Sequence, residues 1–113
     1  MGQLIDLSVY RNHRKSPVYF SRGELNLLFN LFSRRVLVGE WRDYTIDNGE
    51  GFAAFCVYRR TQDAPLFTIM RLAESNAAKG AYMVMQGGQK IRQGRSLPDV
   101  IAGFAPPLRA VRS

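Results

Sequence analysis

One cysteine, Cys56, and one histidine, His13, stand among the 113 residues. A lone cysteine cannot close an internal disulfide, and one residue of each type supplies neither a spaced zinc-ligand set nor a choice of Cys–His dyads. The apolar runs are short: residues 81–85 are typical, far below the ~20 residues that a membrane-spanning helix needs. Met-Gly-Gln-Leu-Ile-Asp at the start lacks a basic leader followed by an apolar stretch, and Asp6 stands where an acylation motif requires Ser or Thr. A soluble, cytoplasmic protein without a membrane span is the expectation. Gly87-Gly88-Gln89-Lys90 is not followed by the Ser or Thr of a phosphate loop, and Asn48-Gly49 does not sit in calcium-loop spacing. No metal, no cofactor and no catalytic residue are therefore assigned, and an enzyme is the least favoured class.

What the chain does have is charge of one sign. Lys and Arg number 16 against 9 Asp and Glu, a net +7, and thirteen of the cations are Arg, whose planar fork grips phosphate or carboxylate in a bidentate way. The charge is also segregated. Residues 40–50 hold Glu40, Asp43, Asp47 and Glu50 against Arg42, a net −3, so the remainder carries +10. Hydrophobic residues make up 46% and charged residues 22%, the balance of a folded soluble chain of one domain.

Periodicity then gives the elements. Ser21-Arg22-Gly23-Glu24 is a capping box, with Phe20 and Leu25 placed as a hydrophobic staple. Leu25, Leu28, Phe29, Phe32 and Val36 follow at helical spacing, which predicts a helix over 22–38. From residue 40 the period becomes two. Strands are predicted over 42–47, 52–60, 66–72, 81–86 and 90–93, with hairpin turns at Asn48-Gly49 and Gly87-Gly88. Ser96-Leu97-Pro98-Asp99 caps a short last helix that Pro106-Pro107 stops. The result is an α+β, two-layer domain: an N-terminal helix, an antiparallel meander of four to five strands and a short C-terminal helix over one sheet face. Its extent is 17–105, with residues 1–16 as a basic arm or edge strand and 106–113 as a tail.

Tyr19-Phe20-Ser21-Arg22-Gly23-Glu24-Leu25, the block Gly39-Glu40-Trp41-Arg42-Asp43-Tyr44-Thr45-Ile46-Asp47, Phe55-Cys56-Val57-Tyr58-Arg59-Arg60 and Pro65-Leu66-Phe67 carry a likeness to a known family. Over roughly 18–104 the chain resembles an uncharacterised bacterial family, domain of unknown function 2794, found mainly in alphaproteobacteria. The resemblance implies a small cytoplasmic bacterial protein and no activity to inherit.

Two functions compete on the residues themselves. Arg59, Arg60, Lys90, Arg92 and Arg95 lie on or beside predicted strands near Tyr58, Phe67 and Tyr82, with Lys90 and Arg92 on one face. Cations interleaved with rings hold single-stranded nucleic acid, so a non-catalytic binding or regulatory module for RNA or single-stranded DNA is the first expectation. The alternative is a protein-interaction or assembly subunit, in which the acidic hairpin over 40–50 of one copy meets the basic surface of a second copy or of a partner. There Trp41 and Tyr44 form an apolar centre beside Asp43 and Asp47. An acidic protein, like nucleic acid, would instead be held by the basic surface. The structural reading of the same residues is a core Trp41, a solvated basic face and Asp43 paired to a cross-strand Arg. On the nucleic-acid reading, affinity for a generic oligonucleotide falls steeply between about 50 and 200 mM salt, measured by fluorescence anisotropy.

Overall fold

The computed structural model describes residues 17–60, 64–73 and 79–104; the arm over 1–16, His13 within it and the tail over 106–113 lie outside the described residues. Helix α1 runs Arg22–Leu37. Its start is the expected reciprocal cap: Ser21 Oγ accepts from Glu24 N at 3.1 Å and Glu24 Oε1 accepts from Ser21 N at 2.8 Å. Leu28 and Leu31 are buried, with Leu25, Phe29 and Phe32 packed beside them. Val36 departs from the predicted stripe and is exposed. The inward position one residue earlier belongs to Arg35, whose guanidinium is aimed at Glu40 and at the Phe104 carbonyl, 2.8 Å away.

Five strands follow as an antiparallel meander in sequence order: β1 Asp43–Gly49, β2 Phe52–Tyr58, β3 Phe67–Leu72, β4 Tyr82–Gln86 and β5 Gln89–Gly94. The fold is the α+β architecture anticipated; the strand predicted over 52–60 stops at Tyr58, and the first turn is displaced. The first hairpin turns at Glu50-Gly51, two residues beyond the predicted Asn48-Gly49, because Gly49 pairs with Phe52. A shift of two preserves which face each side chain occupies. It also sets Tyr44 and Ile46 opposite Val57 and Phe55, where aromatic and aliphatic side chains meet. Gly51 supplies the turn's positive φ, +88°. Gly49 is needed for space: a Cβ there would lie 2.3 Å from the Phe52 ring.

The pairings sort every strand residue to one of two faces. The helix-side rows are Tyr44–Val57–Phe67, Ile46–Phe55–Ile69–Val84–Arg92 and Asn48–Ala53–Arg71–Tyr82–Gly94. Phe55, Val57, Ile69 and Val84 are sealed by Leu28 and Leu31 of α1 and by Leu97 and Val100 of the last helix, α2, Leu97–Ile101. Phe29 and Phe32 meet Phe55 edge-on at ring-centre separations of 6.0 and 6.3 Å. A 3₁₀ turn over Ala102–Phe104 ends the described chain and sets Phe104 edge-on against Phe67 and Trp41.

Glu24 joins the layers at one end. Arg71 of β3 donates to Glu24 Oε1 at 2.9 Å and to the Tyr19 carbonyl at 2.9 Å, and the Tyr82 hydroxyl of β4 donates to Glu24 Oε2. Burial raises the carboxyl's pKa, but the bonds from Tyr82 and Ser21 and the Arg71 charge together outweigh it and hold it below the ordinary value. Burial and the same carboxylate hold the Tyr82 hydroxyl above its ordinary pKa. A carboxyl with a lowered folded pKa stabilises the fold above its unfolded value, here near 4.5, and loses that contribution as pH falls through the folded value. Glu24→Gln is therefore expected to cost about 1–3 kcal/mol at pH 7, and the gap to the wild type should close as pH drops below about 4. Urea denaturation at pH 7 and pH 3 measures both; an equal gap at the two pH values contradicts the assignment.

Candidate interaction surface

The five cations singled out in the sequence do not gather. Arg59 and Arg60 are exposed just past β2, at the end of the sheet where β5 begins, while Arg95 follows β5 at the opposite end. Lys90 and Arg92, expected on one face, lie on opposite faces. A β-bulge between Val84 and Met85 pairs Lys90 with Met85 and Arg92 with Val84, leaving Ile91 as the extra residue. Neighbouring residues of β4 point to opposite sides, and their partners go with them. Arg92 therefore turns to the helix side and lies against Gly103. There it lines a hollow of about 320 Å³ with Phe67, Val84, Gln86, Ile91, Val100 and Phe104. Arg59 lines a shallower hollow of about 330 Å³ with Pro65, Leu66, Gln86 and Gly87. Among the described residues, one titratable side chain borders each.

The proposed partner-docking residues also divide. Trp41 is 4% exposed and packs against Phe32, Phe67 and Phe104 at 6.3, 6.2 and 5.4 Å between ring centres. It is a core residue, so the expectation of an exposed anchor is corrected. Tyr44 lies on the helix side, stacked on Phe55 at 5.2 Å, whereas Asp43 and Asp47 point the other way. Asp43 meets Tyr58 across the ladder rather than an Arg, and its Oδ1 accepts from Tyr44 N at 2.8 Å.

The face turned away from the helices is apolar at its centre, not the solvated basic face that the charge pattern suggests. Its rows are Asp43–Tyr58, Thr45–Cys56–Thr68–Met85–Lys90, Asp47–Ala54–Met70–Met83–Gln93 and Gly49–Phe52–Leu72. Apart from Thr68, the three central strands supply apolar or aromatic side chains throughout. The two outer strands supply only Gly and polar or charged residues. Ala54 and Cys56 are shielded by larger neighbours; Phe52, Met70, Leu72, Met83 and Met85 are half-buried. Among the described residues no helix lies over this face. Lys90 Nζ donates to Gln93 Oε1 at 2.8 Å, and the ion pairs among the described residues, Arg35–Glu40 and Arg71–Glu24, involve neither Lys90 nor the two aspartates of β1. The signal was in the sequence: Phe52–Tyr58 is apolar at odd and even positions alike, the pattern of a strand covered on both sides.

No group of three or more His, Cys, Asp or Glu among the described residues could hold a metal ion, and no described helix is long and apolar enough to cross a membrane. A family model described as "Protein of unknown function (DUF2794)" matches residues 18–101. No curated protein and no solved structure matches the chain. Since Trp41 seals the core, Trp41→Ala is expected to cost about 3–5 kcal/mol, read by urea denaturation. A loss under about 1 kcal/mol would return Trp41 to the surface.

Proposed function

We propose that this chain, which belongs to the DUF2794 family, is a non-catalytic protein-interaction module that docks its partner through the open face of the sheet. The observation that carries the reading is the apolar centre formed by Phe52, Met70, Leu72, Met83 and Met85 on the side where no described helix lies. Contiguous apolar surface rimmed by polar residues is what protein docking sites present. Flexible methionines suit such a surface, because a thioether adapts to the shape it meets. The competing reading, RNA or single-stranded DNA, needs cations and rings side by side. Here Lys90 is on the open face, Arg92 is on the helix side, and Arg59, Arg60 and Arg95 lie at the two ends of the sheet.

A face that no described helix covers carries little of the isolated chain's stability. Met70→Glu is therefore expected to change unfolding free energy by at most about 1 kcal/mol. Ile69→Glu, one residue along and fully buried, buries an unpaired carboxylate and is expected to prevent folding. Circular dichroism with urea denaturation compares them. Equal damage from both would mean that the chain itself covers the face, contrary to the proposal. A photo-crosslinking residue at position 70 in the cell of origin is expected to give an adduct of discrete mass, and at Asn30, exposed on α1, none.

A further inference from the structure

We infer that the occupant of the open face is a second copy of this chain, packed face to face about a two-fold axis parallel to the strands. The inference rests on the docking reading above and adds the partner's identity and the geometry. Its basis is the distribution of charge around the apolar centre. One edge strand, β1, places Asp43 and Asp47 on this face; the other, β5, places Lys90 there. Neither aspartate, nor Lys90, is ion-paired among the described residues. The rows fix their heights. Lys90 shares the row of Thr45, midway between the rows of Asp43 and Asp47.

Two in-plane axes can bring such a face onto itself. An axis running across the strands stacks β1 on β1, acid over acid and cation over cation, which opposes association. An axis parallel to the strands exchanges the β1 and β5 edges and keeps strand direction. Each copy's Lys90 then comes over the other's Asp43 and Asp47, giving two identical clusters in one isologous contact. The mean strand directions of packed sheets differ by about 30°, an offset that a lysine side chain can span. Self-association is otherwise disfavoured for a chain of net +7. Placing part of the acidic 40–50 segment opposite Lys90 offsets that repulsion locally. The face measures about 19 Å across five strands and about 20 Å along them. Two such faces bury on the order of 1,000 Å², the low end for specific interfaces, so a dimer in the micromolar range is expected.

Sedimentation equilibrium of the full chain from about 1 to 500 µM tests this. The wild type is expected to pass from monomer to dimer, and Met70→Glu to remain monomeric. Asp47→Lys and Lys90→Glu are each expected to weaken the dimer about tenfold, and the double reversal to recover most of the loss, because the pair is restored with its signs exchanged. A dimer unaffected by Met70→Glu, or a double reversal no better than the single changes, overturns the arrangement. A chain that stays monomeric while position 70 crosslinks to a different protein overturns the pairing and leaves the docking reading standing. So does a crosslink from position 70 to a different face of a second copy. A crosslink to the chain's own residues 1–16, or no crosslink together with no dimer, overturns both.

Discussion

The structure depends on an imbalance between sheet and helix. The three central strands present apolar side chains on two faces, while the described helices amount to the 16-residue α1 and the five-residue α2. Both lie on one side, where they seal Phe55, Val57, Ile69 and Val84. Burying an aliphatic or aromatic side chain is worth about 1.5–3 kcal/mol, so this first face supplies the core. The second face, with Phe52, Met70, Leu72 and Met83, stays half-buried. Covering it is stabilisation that the described helices do not supply.

Each end of the helix layer is pinned by a charged group that does two jobs. At the start of α1, Glu24 completes the capping box and also receives Arg71 and Tyr82 from the sheet. At its end, Arg35 reaches Glu40 and the carbonyl of Phe104, tying α1 to the 3₁₀ turn that follows α2. A buried guanidinium without partners would cost several kcal/mol. Among the described residues no buried side-chain nitrogen or oxygen lacks a hydrogen bond. These two anchors set α1 across the sheet, and the aromatic cluster of Phe29, Phe32, Tyr44 and Phe55 fills the space between. Both anchors act on the helix side, and among the described residues no helix lies over the opposite face.

Local chemistry was legible in the sequence, and relations between strands were not. The cap at Ser21, the Gly87-Gly88 turn and the Ser96 cap rest on residues within four positions of one another, and each forms as its residues dictate. The first turn moved because Asn48-Gly49 satisfies a hairpin locally, whereas pairing Ile46 with Phe55 across the ladder is a contact the local signal cannot weigh. The bulge at Ile91 has no turn residue to announce it, and it alone separates Lys90 from Arg92. Trp41 was ambiguous by type. Only the convergence of Phe32, Phe67 and Phe104, from three distant segments, makes it core. The open face is written in Phe52–Tyr58 and in Met83 and Met85 flanking Val84, but a period of two does not tell which face a helix covers.

The open face can be interrogated through its own methionines. Met70, Met83 and Met85 lie on it in adjacent strands, so oxidative footprinting with mass spectrometry reports its cover residue by residue. Ready oxidation of all three is expected in dilute protein, with joint protection as the concentration rises through the micromolar range. Equal protection at every dilution would show the face closed within a single chain, which contradicts an open docking surface.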